Sequence, residues 1–413
     1  MQNVQTLKGF RDFLPQEKKV RNFVENTITE TFEVFGFQPI QTPTLEYASL
    51  LLGKYGSEAD KLVYSFEDQG GRKIALRYDQ TVPTTRVLSQ YQNELPKYFR
   101  RYQIQSVFRA DKPQKGRFRE FTQCDCDIFE SNSTIVDAEL LAVYYTVYQN
   151  LGLQSIQLLV NDRTTLIETI SQFSTETVSV TTIIQAIDKL DKLSTQAVVL
   201  ELVKKGLSEA NAQAVLEKIT TVQMSETLQK TVEQAVALGV NKDAIIFTPT
   251  LARGLDYYTG MIFEGKIPEY SGGSVGGGGR YDNLIGELCG RDVQASGFAI
   301  GFDRTVEAVV ELGLVAETTK NSSQVLVTLF DDSLTLESLR IAKILRDNKI
   351  KTEVYPVADK IGKQLKLANQ KNIPFVVMLG ADEVSQEKVK LKNMISGEQE
   401  LLSVADLIKT IRN

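Results

Sequence analysis

The sequence of 413 residues contains no histidine and only three cysteines, Cys124, Cys126 and Cys289. Without histidine, Ser-His-Asp and Cys-His catalytic groups and H-E-x-x-H metal sites are excluded. The cysteines are odd in number and lack C-x-x-C spacing, which excludes a disulfide framework and a four-ligand zinc site. No metal is therefore expected on protein His or Cys ligands. If the chain is an enzyme, its chemistry must use carboxylates, arginines, tyrosines and bound ions.

Long apolar runs are also absent, and none reaches the length that spans a bilayer. The first residues, MQNVQTLKGFRDFLP, show neither an apolar signal segment nor an Arg- and Ser-rich presequence. We therefore expect a cytoplasmic protein that makes no membrane contact. The net charge of −5 gives no overall attraction to nucleic acid, so any RNA contact must use local basic patches.

Periodicity predicts several elements in the first half of the chain. Residues 17–35 repeat apolar side chains at helical spacing, and Gly36 is suited to end that helix. Residues 73–77, 101–109 and 119–129 alternate as strands do. Each of the last two strands has one polar face. On the first strand this face carries Arg101, Gln103, Gln105 and Arg109, and on the second it carries Gln123, Asp125 and Asp127 beside Phe121. A polar face on a strand in the middle of the chain requires water or a ligand.

The residue composition and periodicity change several times in the second half of the chain. Residues from about 165 to 245 are rich in Thr, Gln and Leu at helical spacing, which predicts a helical insertion. Strand-like sequence returns at 255–264, followed by the glycine-rich stretch 271–284 and a linker-like segment at 315–323. From Gln324 onward strands and helices alternate, which predicts a separate α/β domain.

Between Lys97 and Arg119 eight residues are basic and only Asp111 is acidic. Arginines on a strand-loop-strand hairpin can clamp a polyphosphate, because guanidinium groups match phosphate oxygens bidentately. A solvated basic surface explains the same composition equally well. The glycine-rich stretch contains no G-x-x-x-x-G-K-[ST] motif, and the nearest approach ends at Ile267, which has no hydroxyl. We interpret it as a flexible or tightly turning loop rather than a phosphate loop.

Several segments together resemble a known family. FRADKPQKGRFREFTQCDCDIF (108–129) resembles motif 2 of class II aminoacyl-tRNA synthetases, in the form found in the histidyl-tRNA synthetase family. LARGLDYYTGMIFE (251–264) resembles the histidine-specific signature of that family, and GGGRYDNL (277–284) its companion glycine loop. ASGFAIGFDR (295–304) resembles motif 3, the helix leading to Pro43 resembles motif 1, and LRYDQTVPTTR (76–86) is similar to the amino-acid-binding turn. Residues 363–380 are similar to the anticodon-binding domain of the family.

The resemblance covers nearly the whole chain and implies a mixed α/β fold with an α+β catalytic core. In that core an antiparallel sheet is flanked by helices, and a helical insertion and a C-terminal α/β anticodon-binding domain accompany it. The expected divisions are residues 1–164 and 248–318 for the two parts of the core, 165–247 for the insertion and 324–413 for the anticodon-binding domain.

The implied activity is that of a histidine–tRNA ligase. Such an enzyme activates L-histidine with ATP and transfers histidine to the 3′ end of tRNA(His). The resemblance also implies Mg²⁺ as a cofactor that accompanies ATP. The resemblance implies that Arg109 and Arg253 hold the α-phosphate as the catalytic pair, and that Arg117 and Arg304 hold the β- and γ-phosphates. It assigns the α-amino and carboxylate groups of histidine to Asp79, Thr81, Gln123 and Arg253. It assigns the imidazole to Asp127 and Tyr258, and the shape of the pocket to Tyr257.

Two alternatives belong to other functional classes. One is a catalytically inactive relative, such as the regulatory subunit of ATP phosphoribosyltransferase, which resembles this family but generally lacks the tail domain and the intact arginine signature. The other is a plain RNA-binding module, which leaves the RGLDYY segment unexplained. The resemblance also implies a homodimer. Basic residues between Arg340 and Lys371 suit contact with the phosphate backbone of tRNA.

Overall fold

The computed structural model describes residues 4–52, 62–113, 118–253, 257–316 and 323–412. None of the helices in these ranges is long and apolar enough to cross a membrane. The contacts divide the chain into two compact units. One unit comprises Met1–Asp12 and Val24–Leu314, and the other comprises Phe13–Phe23 and Val315–Asn413.

Eleven strands are described in the first unit, and eight of them form one sheet in the order β1-β5-β6-β11-β10-β9-β7-β8. Most neighbouring strands in this sheet are antiparallel, as predicted. A smaller sheet has the order β2-β4-β3. The strands are β1 Gln38–Pro39, β2 Leu45–Tyr47, β3 Ser65–Glu67, β4 Lys73–Leu76, β5 Arg100–Phe108, β6 Glu120–Phe129, β7 Gln157–Asp162, β8 Ile245–Phe247, β9 Met261–Lys266, β10 Gly276–Arg280 and β11 Ala295–Ile300.

Helices flank these sheets. They are α1 Pro15–Val34, α2 Ala48–Leu51, α3 Thr81–Gln90, α4 Thr134–Asn150, α5 Arg163–Ser171, α6 Val180–Ile187, α7 Thr195–Lys204, α8 Glu209–Thr220, α9 Glu226–Ala237, α10 Leu284–Cys289 and α11 Phe302–Glu311. The helical spacing predicted for 17–35 is confirmed in α1, where Val24, Ile28 and Phe32 are fully buried. Gly36 follows α1 with a φ of +78°, a left-handed conformation that ends a helix at little cost in glycine.

The strands predicted at 73–77, 101–109 and 119–129 are confirmed as β4, β5 and β6. β5 and β6 are antiparallel neighbours, and their register pairs Arg101 with Asp127, Gln103 with Asp125 and Gln105 with Gln123. Because side chains at paired positions point to the same face, the two polar faces predicted separately form one polar surface of the sheet. That surface is the floor of the cavity described below.

The interpretation of the glycine-rich stretch as a turning loop is wrong for residues 276–280, which form the central strand β10. β10 pairs with β9 on one side and β11 on the other. A methyl group on Gly278 would lie 2.0 Å from the carbonyl oxygen of Gly297, and one on Gly279 would lie 2.3 Å from that of Met261. Glycine is present here because the neighbouring backbones approach too closely for any side chain.

The strand expected at 255–264 begins later than predicted, at Met261. The described residues 257–260 are not in a strand. In this stretch the N–H of Thr259 donates to the carbonyl of Arg280 over 2.8 Å, and the rings of Tyr257 and Tyr258 lie 4.6 Å apart. Packing of the two adjacent rings against each other breaks the alternation of sides that a strand requires.

The segment predicted as a helical insertion contains α5 to α9. Four serines, Ser179, Ser194, Ser208 and Ser225, begin α6 to α9, and each side chain accepts a backbone N–H of the first turn. A separate cluster of buried side chains fills this region and includes Ile183, Ile184 and Ile187. The helices agree with the sequence, and the limits 165–247 as those of a domain stay a prediction.

The second unit contains a five-stranded sheet in the order β13-β12-β14-β15-β16. Its strands are β12 Val325–Val327, β13 Thr352–Val354, β14 Phe375–Met378, β15 Val389–Asn393 and β16 Gln399–Leu402. Its helices are α12 Thr335–Asp347, α13 Ile361–Gln370, α14 Ala381–Ser385 and α15 Val404–Arg412. The alternation predicted from Gln324 onward is present, and α14 and β16 are additional elements. Most of the linker predicted at 315–323 lies outside the described residues.

Candidate active site

Two cavities lie on the face of the large sheet in the first unit. The first has a volume of about 500 Å³ and the second about 580 Å³. Eight of the predicted site residues line the first cavity: Asp79, Thr81, Arg109, Gln123, Asp127, Arg253, Tyr257 and Tyr258. Arg304 lines the second cavity, together with Arg109, Gln123 and Arg253, which line both. Arg117 lies outside the described residues.

The inner wall of the first cavity carries a buried ion pair. Arg101 Nη2 lies 2.7 Å from Asp127 Oδ2, and the Arg101 side chain has no exposed surface. The hydroxyl of Tyr281 donates to Asp127 Oδ1. Burial raises the pKa of Asp127, and both Arg101 and the hydrogen bond from Tyr281 oppose that rise. Asp127 is therefore held in one orientation by two neighbours.

Asp79 and Asp125 place two further carboxyl groups beside Asp127. Burial raises the pKa of Asp79 to about 6 and that of Asp125 to about 8, while Arg109 and Arg101 respectively act in the opposite direction. Gln123 Nε2 donates to Asp125 Oδ2 over 3.1 Å. The inner end of the cavity thus concentrates three carboxyl groups around Arg101. Such an environment favours a ligand that brings positive charge or N–H donors.

Arg109 follows the end of β5, where its backbone N–H donates to the carbonyl of Arg119 over 2.8 Å. Its side-chain Nε donates to the carbonyl of Tyr78 over 3.0 Å, and its guanidinium lies 5.1 Å from the centre of the Phe121 ring. These two contacts fix the side chain across the opening between the cavities.

Arg253 reaches the same opening from the other side. Its backbone has a φ of +45°, which is uncommon for a residue other than glycine. Arg163 Nη1 holds this backbone by donating to the carbonyls of Ala252 over 2.8 Å and Arg253 over 3.2 Å. Arg253 Nη1 lies 3.7 Å from Glu264 Oε2, and a methyl group on Gly277 would lie only 2.6 Å from Nη1. The strained backbone and the glycine together make room for the guanidinium.

Arg304 is in the first turn of α11, and its Nη1 donates to the carbonyl of Ser274 over 2.7 Å. The N-terminus of α11 faces the second cavity through Phe302 and Asp303. The partial positive charge of a helix N-terminus adds to that of the arginine, so this end of the cavity suits an anion.

The basic residues between Lys97 and Arg119 make different kinds of contact. Neither of the two interpretations, a polyphosphate clamp or a solvated basic surface, describes all of them. Arg101 is buried in the ion pair with Asp127, Arg100 pairs with Glu139 at 2.5 Å, and Arg119 Nε donates to the carbonyl of Asp111 over 3.1 Å. Arg109 is the member that lines both cavities, among the residues of the run that the structure describes.

Comparison with known proteins identifies the family of the chain. The histidyl-tRNA synthetase family matches residues 9–305, and the anticodon-binding domain family matches residues 324–413. The chain belongs to the histidyl-tRNA synthetase family.

Relatives in the family are similar over almost their full length. The histidine–tRNA ligase of Christiangramia forsetii is 40% identical over 95% of both chains, and that of Bacteroides fragilis strain YCH46 is 38% identical over 97% of both. A crystal structure of histidyl-tRNA synthetase from Nostoc sp. PCC 7120 covers 99% of both chains with 29% identity and a TM-score of 0.87. The family fold expected from the motifs is therefore present along the chain.

Arg101, Asp125 and Tyr281 belong to the inner wall of the first cavity and were not predicted as site residues. Alternation placed Arg101 and Asp125 on the polar faces of β5 and β6, but one sequence does not show which strand pairs with which. The short contact from Tyr281 to Asp127 spans 154 residues of sequence. In this member of the histidyl-tRNA synthetase family, the register of β5 and β6 brings Arg101 and Asp125 to the cavity, and the position of β10 brings Tyr281.

Proposed function

We propose that the first cavity binds L-histidine, that the second binds ATP, and that the two react where the cavities join. As a member of its family, the chain is an ATP-dependent histidine–tRNA ligase. The observation that carries the assignment of the cavities is that Arg109, Gln123 and Arg253 line both of them. A group bound in one cavity thereby lies beside a group bound in the other.

Activation is an in-line attack of the histidine carboxylate on the α-phosphorus, which releases pyrophosphate and leaves histidyl-adenylate. The carboxylate is already ionised, so the step requires no general base, and the absence of protein histidine removes nothing from the mechanism. Arg109 and Arg253 supply positive charge from opposite sides of the reacting phosphate. Positioning and electrostatic stabilisation of this kind can carry most of the rate enhancement.

Histidine is proposed to lie with its backbone groups towards the opening and its ring towards the inner wall. Asp79, Thr81 and Gln123 would hold the α-amino and carboxylate groups, and Arg253 the carboxylate. Asp127 and Tyr258 would bond the two ring nitrogens, and Tyr257 would shape the pocket. The orientation of Asp127 by Arg101 and Tyr281 supports this role, because a fixed acceptor discriminates against side chains that cannot donate to it.

ATP is proposed to place its α-phosphate between Arg109 and Arg253. Arg304 would hold the β- and γ-phosphates, and Arg117 would join it there. The hydrogen bond from Arg304 to the carbonyl of Ser274 leaves most of its donors for phosphate oxygens.

Mg²⁺ belongs to the proposal as the companion of ATP. Among the described residues no group of three or more Asp, Glu or Cys side chains is arranged to hold a metal ion. These residues therefore do not form a protein cage for the ion. Mg²⁺ commonly reaches such sites on the substrate phosphates.

The second unit is proposed to bind the anticodon of tRNA(His), since it matches the anticodon-binding domain family. Ion pairs engage several of its basic residues, among them Lys343 with Asp347 and Lys363 with Asp359. The homodimer, the cytoplasmic location and the division into residues 1–164, 165–247, 248–318 and 324–413 stay proposals of the same kind.

The inactive-relative alternative receives less support than the ligase. Arg109, Arg253 and Arg304 line the cavities, and the curated relatives that match both the catalytic and the tail regions are histidine–tRNA ligases. A plain RNA-binding module would have no use for the buried acidic wall around Arg101.

Aminoacylation of a tRNA(His) transcript with labelled histidine tests the proposal. Wild-type protein is expected to charge the transcript in the presence of ATP, and Tyr258→Phe is expected to raise the KM for histidine while the KM for ATP stays unchanged. If the wild-type protein charges the transcript and Tyr258→Phe has the same KM for histidine, Tyr258 does not bind the imidazole as proposed.

A further inference from the structure

A segment near the N-terminus, residues 8–11, lies against the second cavity. The carbonyl of Gly9 accepts the backbone N–H of Arg119 over 2.8 Å, and the carbonyl of Lys8 accepts Arg119 Nη1 over 3.3 Å. Gly9 has a φ of +91°, and a methyl group on it would lie 2.8 Å from Arg119 Cγ. The segment is thus held against Arg119, the residue that directly precedes β6.

Arg11 extends from this segment to two residues that line the second cavity. Its Nη2 lies 2.9 Å from Asp303 Oδ1, and its guanidinium carbon lies 3.3 Å from the centre of the Phe118 ring. Both Phe118 and Asp303 line the cavity proposed for ATP. The contact between Arg11 and Asp303 joins residues 292 positions apart.

Asp303 places a carboxylate at the wall of that cavity. It lies next to Arg304 at the N-terminus of α11, where the cavity otherwise suits an anion. A carboxylate at this point repels a polyphosphate and weakens the field of Arg304. The ion pair is only partly exposed, with 23% of the Arg11 side chain and 14% of the Asp303 side chain accessible, so solvent screens it incompletely.

We propose that Arg11 is a positioning residue for ATP, which neutralises Asp303 and holds Phe118 at the wall of the nucleotide cavity. This inference rests on the proposed function, because it requires that the second cavity binds ATP. Arg11 itself does not line the cavity, so it acts through the two residues it contacts.

The test is a double-mutant cycle measured by histidine-dependent exchange of pyrophosphate into ATP. Arg11→Gln removes the positive charge that pairs with Asp303, and we expect the KM for ATP to rise about fivefold, in line with one partly screened charge near a phosphate. Asp303→Asn removes the carboxylate, and we expect the KM for ATP to fall by a similar factor. The double variant is expected to recover most of the rise in the KM for ATP, since only the contact with Phe118 is still missing, and Arg11→Lys, which keeps the charge, is expected to show no more than that remaining rise. The KM for histidine is expected to be unchanged throughout.

A matched control is Arg100→Gln, since Arg100 pairs with Glu139 at 2.5 Å with similar exposure, 34% and 18%, and lines neither cavity. This variant is expected to leave the KM for ATP unchanged. A rise in that KM in Asp303→Asn alone, or no recovery in the double variant, would overturn the inference. The KM for ATP of Asp303→Asn tests the inference independently, so the test still works if Arg11→Gln does not fold. Absence of histidine-dependent exchange in wild-type protein would instead contradict the proposed function.

Discussion

At the scale of single residues, the inner wall of the first cavity concentrates buried acidic side chains. Three carboxyl groups, those of Asp79, Asp125 and Asp127, line it around the buried Arg101. Burial of charge is costly unless each group has a partner, and only Asp127 is ion-paired with Arg101 among the described contacts. We infer that this wall is kept for binding, because an apolar wall of the same shape would be the more stable choice.

Replacement of Arg101 by methionine tests the importance of its charge. Loss of one partner leaves Asp127 buried and uncompensated, so we expect the free energy of unfolding of the first unit to fall by about 3–5 kcal/mol. The KM for histidine is expected to rise at the same time. Urea denaturation and exchange kinetics measure the two effects. Arg72→Met is the control, since its pair with Asp68 is at the surface and its loss should change the free energy of unfolding far less than the loss of Arg101. Equal stability losses in the two variants would contradict the expected effect.

The raised pKa values of Asp79 and Asp125 predict a dependence of stability on pH. Between about pH 4 and pH 8 the folded protein holds protons on these groups that the unfolded chain has released, so the free energy of unfolding falls as pH rises. Asp125→Asn removes the larger contribution, and its Tm should therefore decline less than that of wild type between pH 5.5 and pH 8.5. Thermal melts at a series of pH values measure the difference. A parallel decline in both proteins would show that Asp125 is not protonated at neutral pH.

At the scale of elements, periodicity predicted those parts whose structure is determined by local sequence. The apolar face of α1 and the alternation in β5 and β6 are examples, and even the polar faces were assigned correctly. β10 was not predictable in this way. Its glycines are required by the distance to β9 and β11, which are separate segments of the chain, and local composition favoured a loop. The late start of β9 has a similar origin in the packing of Tyr257 on Tyr258.

Gly278→Ala tests this explanation of β10. A methyl group 2.0 Å from the Gly297 carbonyl forces the central strands apart, so we expect severe destabilisation and loss of soluble protein. Gly362→Ala is the control, because this glycine lies in helix α13 with nothing within 4 Å of the added carbon. It should be neutral or stabilise that helix by up to about 1 kcal/mol. Soluble expression and thermal melts compare the two variants, and a stable Gly278→Ala would show that β10 tolerates a side chain.

At the scale of the whole molecule, the order of motifs along the sequence predicted more than any single motif did. The candidate residues from 79 to 304 come from four of the motif segments, and the fold collects nine of the ten predicted ones at two joined cavities. The sequence did not reveal Arg101, Asp125 and Tyr281 as members of the site, because their importance depends on the register of β5 and β6 and on the approach of β10. Residue types and spacing predicted the chemistry, while long-range pairing determined which charges are buried together.

The most direct test of the account is histidine-dependent exchange of pyrophosphate into ATP, with the other amino acids as controls and Arg253→Ala measured alongside. We predict exchange with histidine alone and a loss of at least about 100-fold in the variant, as expected when a charged group at the reacting phosphate is removed. Absence of exchange in wild-type protein that still binds histidine would contradict the account and favour a regulatory relative.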